Sequence, residues 1–432
     1  MSEDRNYIIA NGIVADGVST FIEDGALLIE GGKIAKIGRA EDFANLDAEY
    51  IDVGGRIVMP AFLNGHHHLY SALATGISPV GEIHNFVDIL ENLWWRLDKI
   101  LDEETVYISA LVGIIDSVKC GVTTIFDHHA SMNFVSSSLD VIAEAFKIAG
   151  VKGLLCFETS DRMGEDEVEK HIEENLRFYG KHEHSKNIKG AFGLHANFTL
   201  SERTLEKIAE RKPENMPIHI HCGEDIFDFD YCRNLGYSGP VDRLEKFGLL
   251  DDNSLLAHCV NLSERDYELI RKIQPIVITN AESNANNRVG KMNREKIGRY
   301  ILGTDGMSGD IIASLRSLYL LGDGIGENFD ELGDVLFANR YEVQRKFFLG
   351  TGEFRVGASA DIAVLDYIPI TPINRENLLG HLIFGAKTAR TFLTMSSGNI
   401  LYRSGEIKFV DEQEIIARAK VLAKKLVDKF YG

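Results

Sequence analysis

The chain has 432 residues, is 45% hydrophobic and 26% charged, and carries a formal net charge of −19. That length holds two or three domains, or one large α/β barrel with an appendage. The acidity argues against nucleic acid and anionic membranes as partners and favours a neutral or cationic small molecule. No apolar run approaches the roughly 20 residues that span a bilayer. The opening Met1-Ser2-Glu3-Asp4-Arg5-Asn6 has no secretory or transit character. Five cysteines without paired spacing point to a reducing cytoplasm.

Residues 1–57 read as short strands and glycine turns, as in Tyr7 to Gly12 and Ala26 to Ile34. No titratable cluster lies there, so the segment is assigned a structural role. From 58 to 350 the pattern becomes strand, loop, helix, repeated. Eight apolar segments end near His68, Asp127, Glu158, His195, Glu224, Cys259, Ser283 and Asp305. Between them, Glu165 to Tyr179 and Ser201 to Arg211 place apolar residues at helical spacing, and Ser263 with Asp266 marks a helix start. Eight strands alternating with helices predict a (β/α)8 TIM barrel, whose chemistry sits at the C-terminal strand ends. From 351 the strand-and-turn character returns. Residues 1–57 and 351–432 are therefore expected to build one small β-sandwich from both chain ends, with a charged amphipathic surface helix over 412–430.

The strand ends carry the chemistry. In His66-His67-His68 a strand turns His66 and His68 to one side and His67 to the other. Strand five ends in His219-Ile220-His221-Cys222-Gly223-Glu224, strand six in His258-Cys259, strand eight in Thr304-Asp305. One strand-end histidine alone is more often a packed, satisfied residue. Four such ends in barrel order are hard to explain by packing. Three histidines and an aspartate make a zinc or ferrous site with a water in the open position, and His258 is placed to contact that water. Cys222 and Cys259 alternate away into packing, and His219 reads as a packing or orienting residue. Either His128 or His129 ends strand two beside the site, and His129 is the one assigned to the pocket. Trp94 and Trp95 follow a long first loop, Ser71 to Glu91, that could close over the site. Either could equally be a helix-core residue, and Trp95 is assigned to substrate. Lys189 starts strand four rather than ending it, and Glu158 ends strand three.

At this point the chain resembles the amidohydrolase superfamily, in its aminohydrolase branch. The matching stretches are Pro60 to His68, Gly121 to Thr124, His221 to Glu224, Leu256 to Cys259, Thr304 to Gly306 and Ala360 to Val364. Asn92 to Asp98, Asp127 to Ser131 and Glu158 to Arg162 look like the aminohydrolases associated with selenium metabolism (the SsnA type). The resemblance implies a metal-bearing barrel with a composite β-sandwich. It implies one divalent metal, zinc first and iron as the alternative, on His66, His68, His221 and Asp305, because relatives that hold two metals bridge them with a lysine ending strand four, although Glu158 could bridge a second as a glutamate does in some of them. It makes Glu224 the proton shuttle, His258 the partner of the nascent oxyanion, and Asp305 a proton acceptor as well as a ligand. His195 becomes a substrate contact, beside His129 and Trp95. The implied reaction is hydrolytic deamination of a purine-like or pterin-like ring with release of ammonia. Hydrolysis of a cyclic amide or a halogenated triazine is the alternative, and a cytoplasmic homodimer is expected. The chain departs from the family pattern at Ala61, where glycine is common, and at Ala281, where proline is common. It also reads Met307-Ser308 after Gly306, which leaves substrate identity open.

Overall fold

Runs such as Val122-Thr123-Thr124-Ile125-Phe126 are β-branched or aromatic and buried on both faces, the signature of parallel strands covered by helices. In the computed structural model, which describes residues 5–387 and 390–432, eight such strands form the predicted barrel. The polar opening stretch, residues 1–4, lies outside the described residues. Barrel strands one to three are Phe62–His67, Val122–His129 and Lys152–Phe157. Strand four is split into Ile188–Gly190 and Phe192–Ala196. Strands five to eight are Ile218–Cys222, Leu255–His258, Ile276–Thr279 and Ile301–Leu302. Every neighbouring pair is parallel. The split is bridged where His195 N donates to Thr159 O at 3.0 Å, and the ring closes where Asp305 N donates to His66 O at 2.9 Å. Closure thus locks the end of strand one to the end of strand eight, which sets two widely separated motifs side by side.

The intervening helices start where their capping residues dictate. Ser263 accepts from Asp266 N, and Asp266 reaches back to Ser263 N, so the helix begins at Glu264. Ser201 caps Glu202–Arg211 in the same way. Two strand limits differ from the sequence reading. Ile57–Pro60, taken as the start of barrel strand one, pairs with Ile362–Leu365 and Tyr7–Ala15 outside the barrel. The apolar run passes through Ala61 without a break, so patterning alone cannot mark where the chain crosses over. Strand seven stops at Thr279, and Ser283 lies on the following helix Ala281–Asn287. Ala281 is the first residue of that helix, a position that also accepts proline.

Strands from both chain ends hydrogen-bond into one nine-stranded sheet, joined where Ile57–Pro60 meets Ile362–Leu365. Its core includes Ile9, Val14, Leu27, Ile29, Val58, Ile362, Val364 and Leu393. The helix Glu412–Tyr431 packs on the barrel helix Glu103–Lys119, not on this sheet. Its end braces the segment over the barrel mouth: Tyr431 Oη accepts from Ser78 N at 2.8 Å, and Phe430 O accepts from Arg96 Nη2 at 2.7 Å.

A buried ion pair ties barrel to sheet. Lys152 Nζ, on strand three, donates to both carboxylate oxygens of Asp361 at 2.7 and 2.9 Å, with Ser397 Oγ at 3.1 Å. Both side chains are almost fully buried. Removing one partner leaves the other charged and unpaired. Asp361→Ala is therefore expected to cost about 3–5 kcal/mol in chemical denaturation. A loss below 1 kcal/mol would mean that water or Ser397 compensates.

Candidate active site

The strand ends bring His66, His68, His221 and Asp305 together, with one donor atom from each lying within 4.8 Å of the others. His68 Nε2 is 2.9 Å from Asp305 Oδ1, His66 Nε2 is 3.7 Å from the same oxygen, and His68 Nε2 is 3.1 Å from His221 Nε2. The outward nitrogens are all occupied. His68 Nδ1 donates to the His128 carbonyl at 2.6 Å and His221 Nδ1 to the His195 carbonyl at 2.8 Å. His66 Nδ1 is 2.9 Å from His219 Nε2, so His219 has the orienting place. Fixing Nδ1–H in this way leaves the Nε2 lone pairs pointing inward, as metal-ligating histidines require. His66 Nε2 is buried without any hydrogen-bond partner among the described residues. Facing lone pairs and a carboxylate around an orphaned nitrogen need a cation, so these residues fit a divalent metal.

Charge follows the geometry. Burial holds His66 and His221 well below the usual imidazole range. Burial also opposes a charge on His68, but the hydrogen bond and charge of Asp305 outweigh it and raise His68 to about 9. Burial opposes a charge on Asp305, but His66 and His68 beside it outweigh burial and keep its carboxyl well below the ordinary range.

Glu224 stands beside this group because of a turn. Gly223 has φ +58, and a side chain there would come within 2.5 Å of the Asn261 carbonyl oxygen. Gly223 N donates to buried Asp228 at 2.9 Å, and Asn261 Nδ2 donates to Glu224 O at 2.8 Å. The turn directs the Glu224 carboxylate back over the strand end, 3.6 Å from His258 Nε2. Burial raises Glu224 to about 7, with His258 opposing the rise and Asp305 adding to it. A carboxyl at that value can both take and give a proton at neutral pH.

His258, Cys259 and Asp305 have φ of 73, 50 and 54°. Non-glycine residues in this left-handed region cost on the order of 1–3 kcal/mol each where strain is stored, and such residues cluster at functional sites. His258 Nδ1 donates to Asn284 Oδ1 at 2.7 Å, and Ser283 Oγ donates to Asp305 Oδ2 at 2.5 Å. The Ser283-Asn284 pair thus positions two site residues from one helix turn. Asn284→Ala should leave the metal bound and lower kcat about tenfold, because outer hydrogen-bond partners are worth roughly 10–100-fold. Unchanged kcat in steady-state kinetics would remove that role.

These residues floor an open cleft. His195 and Trp95 line it, with ring centroids 5.9 Å apart. His195 Nδ1 is held by Thr199 Oγ1 at 2.9 Å, which leaves Nε2 for a ligand. Trp94, Phe86 and Leu90 complete an aromatic and apolar cover. His129 requires correction. It is fully buried, its Nε2 meets Ser131 Oγ at 2.8 Å, and it packs against Tyr70 rather than lining the cleft. His128 is buried as well, with Nε2 on the Leu194 carbonyl at 3.0 Å. Glu158 lies outside the ligand group. Its Oε1 accepts from Arg162 Nη2 at 3.0 Å, and Arg162 also binds Asp98 at 3.2 and 2.5 Å. The sequence reading quoted Asp98 and Arg162 only within stretches that carry the family resemblance, and gave neither them nor Tyr70 a place in the site.

Residues 57–401 match the model of the amidohydrolase family, and the chain belongs to it. The chain is 29% identical to a 5'-deoxyadenosine deaminase of Methanocaldococcus jannaschii, covering 91% of this chain and 94% of that protein. It is 28% identical to a 5-methylthioadenosine/S-adenosylhomocysteine deaminase of Syntrophomonas wolfei, covering 96% and 98%. A zinc-bound adenosine deaminase from Xanthomonas campestris has the same fold, with a TM-score of 0.84 at 20% identity over 98% of both chains. Escherichia coli guanine deaminase follows at a TM-score of 0.77 and 19% identity, over 93% of this chain and all of that one. Among the described residues, no helix is long and apolar enough to cross a membrane.

Proposed function

We propose that this chain is a metal-dependent hydrolase that deaminates an amino-substituted purine-like ring, converting the amine to an oxo group with release of ammonia. The observation that carries the reading is the convergence of four inward-facing ligand atoms beside a buried, proton-accepting Glu224. The nucleoside deaminases among its relatives support the substrate class.

His66, His68, His221 and Asp305 would hold one divalent cation, most simply zinc. Such an ion lowers the pKa of water to about 7 and polarises the reacting carbon. Glu224 takes the proton of the attacking water and passes it to a ring nitrogen. His258, held in place by Asn284, faces the oxygen on which negative charge develops. Asp305 accepts the second proton of that water from the hydroxyl of the adduct and passes it to the amine, which leaves as ammonia. His195 and Trp95 orient the ring. A second cation among Glu224, His258 and Asp305 is the structural rival, since these also form a three-residue donor group. Metal analysis giving two ions per chain would favour that rival.

The five cysteines are free and buried, which supports a reducing cytoplasm. Exposed Leu320, Ile325 and Phe384 offer a surface for a homodimer, which sedimentation would reveal. The activity is tested by ammonia release from 5'-deoxyadenosine, 5'-methylthioadenosine, guanine and an aminopterin. Turnover of at least one is the expected result. Failure on all four, with hydrolysis of a hydantoin or a chlorotriazine, would transfer the chain to the alternative chemistry.

A further inference from the structure

The cleft extends from the ligands along a chain of ring contacts. His221 lies 5.5 Å from His195, and His195 5.9 Å from Trp95. The Arg162 guanidinium sits over Trp95 at 5.3 Å. Beyond Trp95 the wall is made by Asp98 and Glu158, both lining the cleft, with Arg162 bound between them. All three side chains are more than nine-tenths buried. Two carboxylates against one guanidinium leave a net negative wall. Among the described residues, no lysine or arginine lines the cleft.

Two oxygen atoms on this wall lack partners among the described residues, those of Glu158 and Tyr70. Glu158 Oε1 is taken by Arg162, but Oε2 has no hydrogen bond among the described residues. Tyr70, 7% exposed and lining the same cleft, has no partner for its hydroxyl. An acceptor left open inside a ligand cleft marks where a ligand donor goes.

We propose that Glu158, with Tyr70 and the Asp98–Arg162 pair, is a subsite for a hydrogen-bond-donating, positively charged end of the substrate, and that it rejects a carboxylate there. The proposal rests on the deaminase reading for the ring and goes beyond it for the rest of the molecule. An S-adenosylhomocysteine-type tail carries both an ammonium and a carboxylate. This wall pairs with the first and repels the second, whereas a nucleoside tail ending in an amine alone meets no penalty.

The test compares two nucleosides that share a ring and differ in tail charge: 5'-deoxy-5'-(3-aminopropylthio)adenosine and 5'-(2-carboxyethylthio)-5'-deoxyadenosine. The chain's two tryptophans both line the cleft, so their fluorescence reads binding without turnover. Binding at least tenfold tighter for the amine tail is expected. Equal affinity, the reverse order, or no fluorescence change with either compound would overturn the proposal. Glu158→Gln should reduce the preference below about threefold while neutral 5'-methylthioadenosine still binds. A preference that survives in this variant would take Glu158 out of the subsite. Ammonia release from the neutral nucleoside is followed in parallel. Its absence would remove the ring reading and leave the tail preference to be judged by fluorescence alone.

Discussion

Glu224→Gln should retain its metal and lose turnover by about 10²–10⁴-fold, the usual worth of a positioned acid–base group. The four ligand atoms come from other residues, so metal content per chain should stay normal. Glutamine keeps the size and one acceptor oxygen for Asn287 Nδ2, which lies 3.2 Å from Glu224 Oε1. It cannot carry a proton. Substrate affinity should survive, because the interaction lost belongs to the transition state. Near-full activity would mean that His258 or Asp305 moves the proton unaided. Loss of metal would make Glu224 a ligand and reopen the choice between one ion and two.

Asp305→Ala and His66→Ala should lose metal and activity together. Asp305 contributes the one anionic ligand and accepts from Ser283 as well. Its removal leaves His68 Nε2 and His221 Nε2 facing each other at 3.1 Å with no negative charge to draw a cation in. Deleting an outer partner of a metal ligand costs about 10–100-fold in affinity. Deleting a ligand itself should exceed that, with turnover below detection in metal-replete buffer. Elemental analysis after desalting is the check. Normal metal content in Asp305→Ala would place the ion elsewhere.

Most of this chemistry is legible in the sequence because barrel geometry converts position along a strand into position around a ring. Alternation sent His66 and His68 inward, and the order of strand ends brought His221, His258 and Asp305 to them. What was not legible depends on contacts between segments with no shared pattern. Asp98 lies on the cover over the barrel mouth and Arg162 after strand three. Nothing in their spacing announces that they pair, so Glu158 was weighed as the alternative bridge to a second metal and not as half of an ion pair. His128 and His129 were indistinguishable from adjacency. Both are buried because strand two continues to His129 and Tyr70 takes the place at the cleft wall. The crossover at Ala61 was hidden for a simpler reason. The sheet and the barrel each want an apolar strand there, and the run satisfies both.

The central claim, that a single metal held by these four residues drives deamination of a purine-like ring, is tested most directly by removing and restoring that metal. The protein is stripped with a chelator and desalted, then titrated with zinc while ammonia release from 5'-methylthioadenosine is followed. Activity should be absent in the stripped protein and rise linearly to a plateau at one equivalent per chain. Full turnover in the metal-free protein, or a metal-loaded protein that releases no ammonia from any aminopurine, would contradict the account.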